Sequence, residues 1–173
     1  MNIVVCIKQV PDTTEIKIDP VTNTLIRAGV PSIVNPFDAY ALEIAARIKD
    51  VTPETKIILL SMGPKQAEAA LKECLAVGGD KAYLVSDRAF GGADTLATSN
   101  AIAGALRMLD FDLVITGRQA IDGDTAQVGP QIAEHLDLPQ VTYVENLEFD
   151  GDKLFTIRKS TEEGYQTVQV ESP

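Results

Sequence analysis

Two glycine-rich loops hold the residues best suited to chemistry: Gly91-Gly92-Ala93-Asp94-Thr95 and Gly117-Arg118-Gln119-Ala120-Ile121-Asp122-Gly123-Asp124-Thr125. Each ends where a helix-period segment begins. A helix N-terminus carries unpaired amides and a partial positive charge, and glycine lets an anion approach the backbone closely. The second loop, continued through Ala126, Gln127 and Val128, can therefore hold a phosphate with few basic side chains. The plainer account of both loops is turn and cap chemistry, for which Gly and Asp are ordinary choices. Neither matches G-x-G-x-x-G or G-x-x-x-x-G-K-[ST]. Asp122 and Asp124 offer the oxygen ligands Mg²⁺ prefers, yet one of them is needed as a helix cap and no third carboxylate is near in sequence. Arg118 is either a cation for a phosphate or an ordinary surface arginine. The turn Asn35-Pro36-Phe37-Asp38 either caps the following helix or contacts an adenine ring.

Other catalytic constellations are weak. His135 is the only histidine, it falls in a helix-like stretch, and no G-x-S-x-G nucleophile motif accompanies it. It reads as a surface helix residue. Cys6 and Cys74 are too few and too far apart for a disulfide framework or a zinc knuckle, so both are expected to be reduced. Cys6 lies in an apolar run, where a buried thiol is the ordinary outcome. The chain has 15 Lys+Arg against 25 Asp+Glu, a formal charge of −10, which argues against a nucleic-acid ligand. Its 45% apolar content argues against disorder. No apolar run approaches the roughly 20 residues that span a bilayer, and the start lacks a basic head and cleavage site. A cytoplasmic protein without membrane insertion is expected.

The elements that must position the two loops follow from periodicity. Residues 2–10 form a continuous apolar run, the pattern of a strand buried on both faces, and similar runs recur at Lys56–Met62, Lys81–Val85 and 112–116. Between them lie helix-period segments at 38–49, 66–77 and 95–109. A further helix is expected over 125–136, capped by Asp124, with Pro130 near its start and Pro139 beyond its end. Strands alternating with helices imply right-handed crossovers and a parallel sheet covered on both faces, an α/β fold. Two departures break the alternation: a hairpin insertion at 15–27, and a C-terminal β excursion from about 141, with strands at 141–149, 153–159 and 166–170. The whole, 1–173, reads as a single α/β domain. In such a sheet ligands collect beyond the carboxyl ends of the strands, where both loops fall.

The segments VVCIKQVPDT, VNPFDAYALE, SMGP, SDRAFGGADTLATS and GRQAIDGDTAQVGPQIAEHL with LPQVTY after it resemble, in that order, the β subunit of electron transfer flavoproteins. The resemblance covers essentially the whole chain. It implies an adenine nucleotide hydrolase-like fold and a heterodimer with an α subunit that carries FAD. It also implies an adenine nucleotide in β itself: AMP in ordinary members, a second FAD in electron-bifurcating ones. Transferred position by position, the site falls on Cys6, on Asn35, Pro36, Phe37 and Asp38, on Met62, and on the loop from Gly117 to Val128.

Ordinary members carry Asn-Gln-Thr near the end of that loop, where this chain has Thr125-Ala126-Gln127-Val128. GGADTLATS followed by DGDTAQVGP resembles the bifurcating branch, with Asp94, Thr95 and Thr98 facing the additional flavin portion. FAD is therefore expected in preference to AMP. The implied chemistry is hydride transfer from NADH to the β flavin, one electron passing to ferredoxin or flavodoxin and the other through the α-subunit FAD to an acyl-CoA dehydrogenase. Arg118, or an arginine of the α subunit, would tune the flavin by charge. Family members continue past the position of Pro173 into a dehydrogenase recognition loop and a C-terminal arm, so the chain reads as a C-terminally truncated nucleotide-binding core. The competing readings are an ordinary subunit holding structural AMP, and a stand-alone adenine-nucleotide sensor akin to universal stress proteins, which share the sheet but carry a different glycine-rich loop.

Overall fold

The computed structural model describes residues 1–12, 19–21 and 31–172. In chain order the elements are β1 (Asn2–Cys6), β2 (Gln9–Pro11), β3 (Ser32–Val34), α1 (Pro36–Val51), β4 (Lys56–Met62), α2 (Glu68–Ala76), β5 (Lys81–Val85), α3 (Thr95–Leu106), β6 (Leu113–Thr116), α4 (Val128–Leu136), β7 (Val144–Phe149), β8 (Leu154–Thr161) and β9 (Gly164–Glu171). Four of the strands make a parallel sheet in the order β5-β4-β1-β6. The α/β expectation holds.

β1 is central, and Ile3, Val4 and Val5 are fully buried, as a strand covered on both faces requires. Alternation divides its side chains. Ile3 and Val5 join Ala41, Leu42, Ala45 and Ile48 of α1 and Leu71 and Cys74 of α2. Val4, with Leu60 of β4, meets Ile102 and Leu106 of α3 and Ile132 of α4 on the other side. Burying one such aliphatic side chain contributes about 1.5–3 kcal/mol, so these two clusters hold the layers together.

The run expected as one strand over 2–10 is broken. Ile7 N still donates to Leu60 O at 2.8 Å, but the next amide, Lys8 N, turns to the carboxylate of Asp38 at 2.7 Å. The chain leaves the parallel sheet there, and β2 pairs antiparallel with β3, Val10 opposite Ile33. The hairpin expected at 15–27 lies outside the described residues except for 19–21.

Helix ends also shift. α1 opens on Pro36, whose missing amide costs nothing in a first turn. A single 3₁₀ turn, Lys65–Ala67, precedes α2, and α3 stops at Leu106 with Arg107 as its cap residue. α4 starts at Val128 instead of 125, with Gln127 as N-cap and not Asp124. The reason is conformational: Asp124 and Ala126 sit at φ 52° and 53°, a left-handed backbone that cannot continue into a right-handed helix.

The C-terminal excursion is an antiparallel meander in the order β7-β8-β9. Phe155 and Ile157 of β8, with Phe149 stacked on Phe155 at a centroid distance of 4.5 Å, close the core on the α1 side. Among the described residues no helix is long and apolar enough to cross a membrane.

Two consequences follow for the site. β1 and β6 are neighbours, yet the helices after them, α1 and α4, cover opposite faces. Their connecting loops therefore diverge and leave a crevice at the carboxyl ends of the strands, the switch point of an open α/β sheet.

Candidate functional site

A cleft of about 1340 Å³ opens at that switch point. Its floor is formed by strand ends: Cys6 of β1, Leu60 and Met62 of β4, and Thr116 of β6. One wall is the loop from Gly117 to Val128, and the facing wall is the segment 86–98, which brings in Asp94, Thr95 and Thr98. Asn35 and Asp38 close the end beside β1. Of the expected site positions, Pro36, Phe37, Ile121 and Asp124 stay off the cleft surface, while the others line it. Phe37 turns edge-on to Tyr40 instead, with centroids 6.5 Å apart.

The start of α4 suits an anion. Gln127 makes no side-chain cap bond, so the first-turn amides of Val128 and Gly129 are not satisfied by a cap residue. Left-handed Asp124 and Ala126 precede it, and Ala126 is followed directly by right-handed Gln127, a pairing of conformations that can turn successive amides toward one anion. Two glycines let α4 and the loop pack against β6 and the start of α1. A Cβ on Gly129 would stand 2.6 Å from Thr116 Oγ1, and one on Gly117 would stand 2.9 Å from Asp38 N. α3 differs, because Asp94 Oδ1 accepts from Ala97 N at 2.8 Å and serves as its cap. Thr95 Oγ1 donates to Gln127 Oε1 at 3.0 Å and joins the two walls.

The electrostatics are less basic than a phosphate site built on side chains. Lys8 Nζ, on the cleft surface, lies 2.5 Å from Asp122 Oδ1, whose side chain is 4% exposed. The Arg118 guanidinium sits 4.8 Å from the ring centroid of Tyr143. Asp38 is 6% exposed, and burial pushes its carboxyl up to about 6 against the opposing effects of hydrogen bonds from Asn35, Lys8 N and Gly117 N. Burial, with Asp38 nearby, pushes the Cys6 thiol up to about 12, which leaves it a packing group without thiolate character. Asp124 accepts from Gln119 Nε2 at 2.7 Å, and among the described residues no group of three or more His, Cys, Asp or Glu is placed to hold a metal. His135 Nε2 lies 3.1 Å from the fully buried Ser99 Oγ, which ties α4 to α3 away from the cleft.

Lys8 was not among the expected site residues. Its only sequence signal is a lysine closing an apolar strand. Arg88, on a 3₁₀ turn capped by Asp87, also reaches the cleft, from a segment that carries the resemblance but in which only Asp94, Thr95 and Thr98 were expected at the site.

A parallel sheet, a switch-point cleft and a helix start without a side-chain cap at its edge define an α/β domain of the open-sheet class, with its crevice at the carboxyl ends of the strands. The model of the electron transfer flavoprotein domain matches residues 22–173, and the chain belongs to that family. It is 62% identical over 173 residues to the electron transfer flavoprotein subunit beta of Clostridium acetobutylicum, covering all of this chain and 66% of that relative. It is 58% identical over 174 residues to subunit CarD of the caffeyl-CoA reductase-Etf complex of Acetobacterium woodii, again 100% and 66%. Over 177 residues it is 48% identical to the acryloyl-CoA reductase electron transfer subunit gamma of Anaerotignum propionicum, covering 65% of that chain. The chain thus spans a little less than two thirds of the length of these relatives.

Proposed function

We propose that this chain is the nucleotide-binding part of an electron transfer flavoprotein β subunit and that its cleft takes FAD. The carrying observation is the extent of the cleft. At about 1340 Å³ it exceeds the roughly 300–1,000 Å³ usual for small-molecule sites, and it continues past the phosphate loop to Asp94, Thr95 and Thr98. An AMP would occupy only the part between Asn35, Met62 and the loop; the remainder suits an additional flavin portion.

In this reading the amides at the start of α4 and along 123–128 hold the phosphates. Cys6 and Met62 offer apolar contact at the floor, and Thr95 and Thr98 offer hydroxyls to the facing portion. Bound there, FAD would supply hydride and one-electron chemistry, and the protein would orient it and adjust its electrostatics. Arg118, held over Tyr143, or an arginine of the α subunit would adjust the flavin by charge. An α subunit carrying its own FAD, NADH as donor, ferredoxin or flavodoxin as one acceptor and an acyl-CoA dehydrogenase as the other complete the proposal. The names of the caffeyl-CoA and acryloyl-CoA reductase relatives favour such a complex. A cytoplasmic location fits these soluble partners.

The second reading is an ordinary β subunit with AMP, favoured by the small number of cations that the described residues bring to the loop. Purification of the full-length subunit with its copurifying partner decides between them by flavin absorbance and identification of the released nucleotide. Two FAD per heterodimer support the proposal; one FAD and one AMP overturn it. Recovery without any partner would favour the stand-alone sensor.

A further inference from the structure

Thr95 opens α3 and Gln127 precedes α4, on facing walls of the cleft, and Thr95 Oγ1 donates to Gln127 Oε1 at 3.0 Å. One turn along α4, Gln131 Nε2 donates to the same hydroxyl at a long 3.4 Å. Unlike the other two, Gln131 does not line the cleft. Ser99 and His135, 3.1 Å apart, form the next rung, so Thr95 and Ser99 face Gln127, Gln131 and His135 at a spacing of four, one polar seam between the two helices. A hydroxyl has one proton and two lone pairs. The Gln131 amide nitrogen can only donate, so it occupies a lone pair of Thr95 Oγ1. The hydroxyl proton is left to point away from Gln131, across the cleft, and in the free protein Gln127 receives it. Gln131 holds this place at a cost. Its Oε1 is, among the described residues, the one buried side-chain oxygen or nitrogen without a hydrogen-bond partner. A buried acceptor left unpaired destabilises the fold. Turning the amide over would only exchange the orphan acceptor for an orphan donor, whereas an apolar side chain of the same length would remove the cost.

We propose that Gln131 is a positioning residue that acts through Thr95: it keeps the Thr95 hydroxyl a donor into the cleft, where an acceptor atom of the ligand takes the place of Gln127. The inference rests on the reading of the cleft as an FAD site, because the portion beyond AMP is the one that reaches Thr95. A flavin ring and its sugar-alcohol chain are rich in acceptor atoms, and AMP leaves that end of the cleft empty. Gln131 therefore favours the larger ligand over AMP, and the stability lost at its orphan oxygen is the counterpart of that preference.

The test uses the full-length subunit with its copurifying partner. AMP is added to the native complex and the flavin it displaces from this cleft is followed by fluorescence; the affinity for AMP alone is measured by calorimetry on stripped protein. In Gln131→Met the AMP concentration that displaces half the flavin is expected to fall about threefold to tenfold, with AMP affinity itself changed by less than about twofold. Gln131→Leu is expected to behave alike. Thr95→Val is expected to fall about tenfold, and adding Gln131→Met to it to cause no further loss, since Gln131 has then no hydroxyl to orient. The denaturant midpoint of Gln131→Met is expected to equal or exceed that of wild type, because the orphan oxygen is gone. A lower midpoint with parallel losses for flavin and AMP would make Gln131 a spacer between helices and overturn the proposal, as would unchanged displacement or an equal loss in the Thr95→Val background. If the wild-type complex releases AMP and no flavin from this cleft, the FAD reading falls and the proposal with it; if flavin is displaced equally from wild type and variant, the proposal alone falls.

Discussion

Asp38 and Gly117 pack backbone against backbone at the end of the cleft, so closely that a side-chain carbon at 117 would lie 2.8 Å from the carbonyl carbon of Phe37 and 2.9 Å from the amide nitrogen of Asp38. Both obstacles are main chain, which cannot rotate aside as a side chain can.

Gly117→Ala is therefore expected to destabilise the protein by about 1–3 kcal/mol and to displace the loop that follows. Gly129→Ala is expected to do less, because the nearest atom to the new carbon is the hydroxyl of Thr116, a side chain able to turn. Gly104, inside α3 with nothing within 4 Å of an added methyl group, supplies the opposite case: Gly104→Ala is expected to stabilise by about 0.5–1 kcal/mol. Denaturant midpoints of the three variants check the ordering. A Gly117→Ala protein as stable as wild type would refute the close packing.

The same carboxylate makes stability depend on pH. Asp38 faces Lys8 and Cys6 from the β1 side, its helix neighbour Asn35, and the amide of Gly117 from the loop. Burial raises it from 3.8 to about 6, so the folded state binds the proton more tightly than the unfolded chain. The stabilisation from that proton is complete below 3.8 and disappears as the pH rises through about 6. At about 1.36 kcal/mol per pH unit the change amounts to roughly 3 kcal/mol. Asp38→Asn removes this titration, so the gap between variant and wild type is expected to move in the variant's favour between about pH 4 and pH 8. Parallel curves for the two proteins would show that Asp38 does not titrate in this range.

Much of this arrangement is legible in the amino-acid order, and the reason is local. Ile3, Val4 and Val5 carry an unbroken apolar pattern because β1 is covered on both faces, and the glycine-rich loops announce themselves because turns and helix starts select few residue types. What escaped was decided at long range. The strand ends early because Lys8 N bonds a carboxylate 30 residues away, and Lys8 Nζ finds Asp122 across 114. Asp124 misled for another reason: aspartate is favoured both as a cap and in left-handed backbone, and here the second role prevails.

A staple distant from the cleft separates fold from function. Asp80 accepts from Ile57 N at 2.8 Å and from Lys49 Nζ at 2.7 Å, while its own amide donates to Ile57 O at 2.8 Å. These bonds outweigh partial desolvation and hold its carboxyl below the usual range, a contribution present above that range and lost as the pH falls through the lowered value. Because the side chain is partly exposed and screened, Asp80→Ala is expected to cost only about 1 kcal/mol. Nucleotide affinity is expected to stay unchanged. A large affinity loss would mean that β4 and β5 transmit strain to the cleft floor.

Thiol reactivity gives the last prediction. Burial is the main cause that pushes Cys6 up to about 12 and Cys74 up to about 11. Thiolate is the reactive form, and at about pH 8 either group would be almost wholly protonated. Cys74 is also enclosed between α2 and the sheet, whereas Cys6 reaches the cleft surface. Native protein treated with an aromatic disulfide reagent at about pH 8 is therefore expected to release no thiol on the scale of minutes, and both thiols on addition of denaturant. If Cys6 alone reacts in the native state, and occupancy of the cleft blocks it, the strand end is more open than its burial implies and the thiol becomes a direct reporter of ligand binding.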